Sequence, residues 1–373
     1  LCHVAEKIFS LYLPMTRGVV VHFGESIGTV QADLREVSPT IFLGVPRIWE
    51  KIQSSVAVKM KDSSWLKRTL YDWATKVGQD ISRRRREGAI GLFDRVRWLL
   101  ATILVFRALQ ERIGMRHCRV AISGAAPIGR DLLAWYHGIG LPILEGYGMT
   151  ESAGVSHVTP PNDVRLGSVG KILPPLESAI AQDGEILVRG PSVFCGYLGR
   201  PEATAEMIDE DGWLHTGDIG TEDEDGYLAI TGRKKGIIIT SGGKNLSPEK
   251  IENALKTSPY IKEAIAIGDR RKFISALVQV EFDTLSHWAT RNAIAYTSFA
   301  DLSSRAEVRA LVEKEIDAAN DKLAKVEQVR KFHLLDKELS QEDGELTATQ
   351  KVRRSAVLTS YSELVDGIYG GAA

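Results

Sequence analysis

Cysteine is nearly missing from this sequence. Its three thiols, Cys2, Cys118 and Cys195, lie far apart with no CxxC spacing, which excludes a disulfide framework and a zinc site and suits a reducing compartment. Each is expected to be a small buried apolar residue. Long apolar runs are missing as well. The most apolar window, Trp98 to Phe106, spans nine residues between Arg97 and Arg107, whereas a membrane-spanning helix needs about 20. Nor is there an excess of one charge: 47 Lys+Arg face 48 Asp+Glu, a formal net charge of -1, so no nucleic-acid partner is expected. Internal repeats, low-complexity tracts and a basic n-region with a cleavage site are also absent. The chain opens at Leu1 and runs straight into an apolar-rich stretch. The expectation is therefore a chain cut within a domain, of cytoplasmic location.

What is present is ample material for a core. With 373 residues, 44% of them hydrophobic, two or three domains are expected. Residues 1–166 read as part of an α/β layer: mostly helical text, a buried strand over Thr40 to Val45 ending at Pro46, and two strand-then-glycine turns. The first strand, Arg119 to Ile122, leads into Ser123-Gly124-Ala125-Ala126-Pro127. The second, Pro142 to Leu144, ends in Glu145-Gly146-Tyr147-Gly148-Met149-Thr150-Glu151. Ligands in open α/β sheets bind beyond the carboxyl ends of the strands, so two such turns suit one ligand. Residues 167–234 change to short strands punctuated by Gly and Asp, a small β subdomain. Residues 235–373 read as a compact α+β module, with helix entry at Ser247-Pro248. The run Arg83 to Arg86 is read as a solvated helix face, with contact to an anionic membrane surface as the minority view.

Four places carry chemistry. In Gly146 to Glu151 the glycines admit close approach of backbone to a ligand, Tyr147 offers an aromatic face, Thr150 a hydroxyl, and Glu151 a hard oxygen ligand suited to Mg²⁺; taken alone this is more often a plain turn. Asp218, in Thr216-Gly217-Asp218, is a carboxylate able to accept both hydroxyls of a ribose diol, with an ordinary Asx turn as the alternative. The basic cluster Arg233-Lys234-Lys235 sits at a change of pattern, where a hinge and an anion contact are both expected. It leads to Gly242-Gly243-Lys244, a glycine pair that lets a thin cofactor arm pass near the backbone. Near the C-terminus, Thr347-Ala348-Thr349-Gln350-Lys351 is a threonine-rich turn before a cationic stretch.

In this order and spacing the segments resemble the adenylate-forming superfamily of acyl-CoA synthetases, over essentially the whole chain. Val45 to Ile52 and Ser241 to Asn245 look most like its long-chain fatty acid-CoA ligase branch. The resemblance implies the latter part of a large α/β adenylation domain with a β subdomain, followed by a mobile α+β C-terminal domain. It implies that Gly124, Ala125, Ala126 and Pro127 line an adenine pocket, that Tyr147 stacks on the base beside Gly148, and that Thr150 contacts phosphate and acyl carboxylate. Glu151 would hold Mg²⁺, Asp218 the ribose with Arg233 beside it, and Lys235 would be the hinge. Gly242, Gly243 and Lys244 would flank the pantetheine arm of coenzyme A, and Lys351 would bridge the acyl carboxylate and the α-phosphate during adenylation. ATP, Mg²⁺, coenzyme A and a long-chain fatty acid are thus the implied cofactor and substrates. Two departures stand out: Gly236 replaces a usual acidic residue and Ala348 a common proline. The Ser/Thr/Gly-rich phosphate loop that the family carries upstream is not in this sequence, so impaired ATP handling is expected. A ligase that loads a carrier protein, and a non-catalytic nucleotide-binding remnant, stay open as alternatives.

Overall fold

The computed structural model describes residues 3–26, 28–234, 236–347 and 350–370. The chain divides into two compact units, Leu1–Lys234 and Lys235–Ala373.

The first unit is built on a five-stranded sheet in sequence order, β1 (Ile41–Gly44), β2 (Val120–Ser123), β3 (Ile143–Tyr147), β4 (His157–Val158) and β5 (Lys171–Ile172). β1, β2 and β3 run parallel, and β4 and β5 are added antiparallel. Parallel neighbours need crossover connections, and helices supply them. Pro46 occupies the first turn of the helix Pro46–Lys61, where its missing N–H costs nothing. This helix buries Trp49, Ile52 and Val56, at the three- and four-residue spacing of one helical face. Trp49 is fully buried; its indole N–H donates to the Gly44 carbonyl at 3.0 Å, and Tyr136 donates to the Trp49 carbonyl at 2.7 Å. Trp49, through its indole on one side and its backbone carbonyl on the other, thereby ties the end of β1 to the helix Arg130–Gly138.

A second, four-stranded antiparallel sheet follows: β6 (Glu177–Ile180), β7 (Glu185–Arg189), β8 (Leu214–Glu222) and β9 (Leu228–Arg233). The short-strand text of residues 167–234 is not all of this sheet, because β5 joins the first sheet and a helix, Pro201–Met207, is interposed. Along β8 the side chains alternate, placing Leu214, Thr216, Asp218 and Gly220 on the buried face. Tyr147 of β3 packs with Leu176, Ile186, Val188 and Leu228, joining the two sheets.

In the second unit β12 (Ile261–Ile267) pairs antiparallel with β13 (Ile274–Val280), which pairs parallel with β14 (Val329–Leu334); a separate ribbon joins β10 (Ile238–Ile239) and β11 (Asn245–Leu246). β13 is buried along its whole length. Ala276 and Val278 face a core shared with the helices Pro248–Leu255 and Ala306–Asn320, while Leu277 faces a second core with Val357 and Val365. Burial on both faces is why the text of β13 is so apolar.

Two expectations about small residues change. Cys195 is exposed and Cys118 only half-buried, and Cys2 lies outside the described residues. Burial raises the Cys118 thiol to about 11, so it stays protonated and unreactive at neutral pH.

Candidate active site

The turns that follow β2 and β3 lie side by side because their strands are in register, Ser123 opposite Glu145. A Cβ on Gly124 would stand 3.3 Å from the Gly146 carbonyl oxygen, so the two backbones approach closely. Ala125 adopts a left-handed φ of 69°, a conformation costing an L-residue roughly 1–2 kcal/mol and met mostly where the fold imposes it. Ala125, Ala126 and Pro127 are exposed beyond the carboxyl end of β2. The second segment begins later than its glycines suggest, since β3 continues through Gly146 to Tyr147.

From the other sheet, Asp218 reaches the end of β3. It lies within β8 rather than in a turn, opposite Arg233 of β9. A carboxylate on a buried strand face needs donors, and it has them. Tyr147 donates its phenolic hydrogen to Asp218 Oδ2 at 2.8 Å, and the Arg233 guanidinium forms an ion pair with the same carboxylate, Nε to Oδ1 at 3.0 Å. Tyr147 is only 9% exposed, so little of its ring face is open. Burial, followed by the neighbouring Asp218 charge, holds the phenol well above its ordinary pKa. Arg233 is largely solvent-exposed, whereas the Asp218 side chain is buried. Tyr147, Asp218 and Arg233, distant in sequence, form one contiguous group.

Thr150 and Glu151 open a short 3-10 turn, Thr150–Ser152, which follows Gly148 after the capping residue Met149. Thr150 is exposed and Glu151 half-buried. Gly148 has a purely internal reason to be glycine, because a Cβ there would fall 2.5 Å from the Gly154 carbonyl oxygen. Glu151 accepts a hydrogen bond from the Tyr197 hydroxyl at 2.8 Å, a partner that no local pattern announces. Among the described residues no cluster of three or more His, Cys, Asp or Glu could by itself hold a metal. Glu151 is a single carboxylate, which is the donor set Mg²⁺ needs when substrate phosphates supply most of its shell.

The remaining candidates belong to the second unit. Gly242, Gly243 and Lys244 are exposed in the turn between β10 and β11. Thr240 closes this turn by accepting from the Lys244 N–H at 3.1 Å, and Gly243 takes φ 73° with open space around it. Lys351 is exposed at the end of a second closed turn: its N–H donates to Thr347 Oγ1 at 3.0 Å and Leu346 bridges to Val352. Ala348, Thr349 and Lys235 lie outside the described residues.

Three buried groups near the first unit's site escape sequence reasoning. Glu185 accepts from the Gly217 N–H at 2.9 Å, from Lys234 at 2.9 Å and from His215 at 3.1 Å, pinning the backbone just before Asp218. Desolvation raises its pKa, but these donors outweigh it and the net shift is downward. Glu145 is pushed up to about 7 by burial, against the pull of the Gly167 N–H and Arg130. His157, buried beside Tyr147 with rings 5.7 Å apart, is lowered to about 4 and stays neutral.

Comparison with known proteins shows the family to which this fold belongs. A family model described as AMP-binding enzyme matches residues 1–198, and one described as AMP-binding enzyme C-terminal domain matches residues 235–373. The chain is 39% identical over 371 residues to the putative fatty-acid–CoA ligase fadD11 of Mycobacterium tuberculosis, covering 98% of this chain and 65% of that protein. It is 36% identical over 370 residues to the long-chain-fatty-acid–CoA ligase FadD15 of Mycobacterium bovis, covering 99% and 61%. It is 34% identical over 398 residues to the long-chain-fatty-acid–CoA ligase ACSBG2 of Xenopus laevis, covering 100% and 54%. The chain thus spans less than two thirds of the length of these relatives. Among solved structures, the A domain of a carboxylic acid reductase from Segniliparus rugosus, in complex with AMP and a co-purified carboxylic acid, superposes with a TM-score of 0.71 at 21% identity, covering 100% of this chain and 54% of that one. The o-succinylbenzoate CoA synthetase of Bacillus subtilis, in complex with an acyl-adenylate, gives 0.59 at 22% identity, covering 95% and 58%. At such identities the likeness is one of fold.

Proposed function

This chain belongs to the AMP-binding enzyme family, and from that premise we propose that it holds a long-chain acyl-adenylate and passes the acyl group to coenzyme A. The observation that carries the reading is the buried carboxylate of Asp218, gripped by Tyr147 and Arg233 at the end of β3. A carboxylate so fixed presents oriented lone pairs to a vicinal diol, the recognition element of a ribose. The turn Gly124 to Pro127 borders the adenine, and Tyr147 offers the base its remaining open edge while chiefly orienting Asp218. The fatty-acid–CoA ligase names of the relatives support the substrate class.

Two half-reactions follow. In the first, a carboxylate oxygen attacks the α-phosphorus of ATP, an O–P bond forms, and the bond to pyrophosphate breaks. Both reactants are anionic, so a cation at the junction lowers the barrier. Lys351 takes that role, and Thr150 donates to phosphate oxygen. Mg²⁺, when bound at Glu151, offsets charge on the phosphates. In the second, the thiolate of coenzyme A attacks the acyl carbonyl, a C–S bond forms, and the C–O bond to AMP breaks. Gly242, Gly243 and Lys244 flank the incoming arm.

The second half-reaction tests this directly, since it needs no triphosphate. The 373-residue chain is mixed with synthetic palmitoyl-AMP and coenzyme A, and palmitoyl-CoA is quantified by chromatography. Acceleration over buffer, diminished in Asp218→Ala, is the expected result. Tight binding of palmitoyl-AMP with no transfer to free coenzyme A would overturn the ligase reading.

A further inference from the structure

The turn that carries Lys351 stands on two legs, and a carboxylate outside the turn holds each of them. The Thr347 N–H donates to the Lys351 carbonyl at 2.8 Å, Leu346 bridges to Val352, and the Arg353 N–H donates to the Glu345 carbonyl at 2.7 Å. The ladder is three residues long on each side. So short a two-stranded ribbon is not stable in water by itself, so other contacts must fix how Lys351 is presented. On the incoming leg, Glu345 is 1% exposed. A carboxyl group removed from water needs donors. Ser340 donates its N–H to Oε2 at 3.1 Å, and the Lys337 ammonium lies 3.1 Å from Oε1. The backbone closes on the same stretch, because the N–H groups of Glu345 and Leu346 both donate to the Ser340 carbonyl at 3.0 Å. Leu346 then enters one apolar cluster with Leu277 and Val357.

On the outgoing leg, Arg354 opens the helix Arg354–Ser360. One arm of its guanidinium donates to the Ala266 carbonyl at 2.6 Å, and the other pairs with Glu252. Glu252 in turn accepts from the Ala266 N–H at 2.9 Å. Arg354 is thus fixed through both terminal nitrogens, onto one residue of β12 and one of the helix Pro248–Leu255. The Glu252 side chain is only 16% exposed, so removing either partner leaves the other short of its counter-charge. A buried ion pair is a poor source of stability, because desolvation offsets its attraction. A guanidinium held at two nitrogens is a good source of orientation.

We propose that Glu345 and Glu252, with their partners Lys337 and Arg354, are positioning residues that set how Lys351 is presented and, through it, the rate of adenylation. The inference rests on the role given above to Lys351. Neither carboxylate touches substrate. Each acts on the backbone of the turn from outside it, and a displacement of about 1 Å in a reacting group costs on the order of a hundredfold in rate.

Glu345→Gln and Glu252→Gln remove the charge at nearly constant shape. Hydrogen exchange of the 373-residue chain reads the turn directly. The peptide spanning residues 345–353 should exchange about tenfold faster or more in either variant, while peptides of β13 keep their protection. The catalytic arm uses a polypeptide that carries a phosphate loop upstream of Leu1. Each variant should lower its pyrophosphate release by about tenfold or more, and thioester formation from palmitoyl-AMP by less than about threefold, below the melting temperature of both. A purely structural role would depress the two steps alike. Introduced into Lys351→Ala, neither variant should lower pyrophosphate release further, since a group that acts through Lys351 has nothing left to position. Arg354→Lys, which keeps the charge without the fork, should recover part of the rate lost in Arg354→Gln. Lys337→Gln, at a side chain 44% exposed, tests the incoming leg if Glu345→Gln does not fold. Unchanged exchange, unchanged adenylation, or losses that add fully to that of Lys351→Ala would each overturn the proposal and leave Lys351 in its role. Pyrophosphate release indifferent to Lys351→Ala alone would instead remove the role of Lys351, and the proposal would fall with it.

Discussion

Tyr147 and Asp218 meet end to end, phenol hydroxyl to carboxylate at 2.8 Å, although one closes a strand of the parallel sheet and the other lies within an antiparallel one. The contact couples fold to site. The same tyrosine packs in the cluster that joins the two sheets, so whatever positions Asp218 also holds the first unit together.

That dual role separates two substitutions. Asp218→Ala should weaken AMP at least about tenfold, because two charge-assisted hydrogen bonds to the ribose are lost. Tyr147→Phe should leave AMP affinity within a few-fold but destabilise the chain by roughly 1–3 kcal/mol, through a buried carboxylate left short of one donor. Calorimetric titration with AMP and urea denaturation measure the two effects. Unchanged AMP affinity in Asp218→Ala, with a lowered melting temperature, would make the carboxylate a purely structural group.

Glycine to alanine should change sign between two helices. In a helix interior the substitution ordinarily stabilises by about 1 kcal/mol. Gly367, in the helix Ser362–Gly370, has open space where a Cβ would stand, so Gly367→Ala should gain up to about that amount. A Cβ on Gly78, in the helix Trp65–Arg86, would stand 2.0 Å from the Gly138 carbonyl oxygen and 2.7 Å from Phe106. Backbone must then move, so Gly78→Ala should cost about 2 kcal/mol or more net. Urea midpoints of the two variants, compared with the unaltered chain, decide it.

The buried carboxyl of Glu145 gives a pH signature. Its ordinary value of 4.5 is raised to about 7 by burial, so the folded chain holds this proton more tightly than the unfolded chain does. The resulting stabilisation is complete below pH 4.5 and is lost as pH rises through about 7. Glu145→Gln mimics the protonated acid. Its stability should match that of the unaltered chain at pH 4 and exceed it by roughly 2–3 kcal/mol at pH 8. A difference that does not vary with pH would remove the buried carboxyl as its source.

Much of the fold was legible because β1, β2 and β3 are apolar runs that stop at proline or glycine. β14 was not, since Arg330, Lys331 and His333 interrupt its apolar residues and its partner β13 is far away in sequence. The text after Leu144 reads as a turn, yet Glu145 to Tyr147 continue β3 because β4 pairs with Gly146 and Tyr147. At the site, Tyr147, Asp218 and Arg233 were each singled out by residue type and order, but their mutual contacts come from strand register across two sheets. Glu185 is a charged residue in a short strand, which reads as solvent-facing. It is buried because Lys234, His215 and the Gly217 N–H converge on it. Tyr197 lies in an irregular stretch, and only folding sets it against Glu151.

Lys351 should divide the two half-reactions. It is held at the end of a closed turn, with its N–H on Thr347 Oγ1 and Leu346 bridging Val352, while its side chain is exposed. Loss of the ammonium should therefore leave the fold intact. In the adenylation step a carboxylate approaches an anionic phosphate, and charge grows on the departing pyrophosphate. A cation at that junction is worth several kcal/mol when water is excluded. In the transfer step the nucleophile attacks a neutral acyl carbonyl and AMP departs, so the same cation offsets far less repulsion. Lys351→Ala is expected to lower acyl-AMP formation by about a hundredfold or more and thioester formation from pre-made acyl-AMP by less than about tenfold. Adenylation is measured as pyrophosphate release in a polypeptide that carries a phosphate loop upstream of Leu1, and transfer as thioester yield from palmitoyl-AMP. Lys351→Arg, which keeps the charge but changes its shape, should recover part of the first rate and leave the second unchanged. Equal losses in both steps would remove Lys351 from the adenylation chemistry and leave its turn as the only thing it supports.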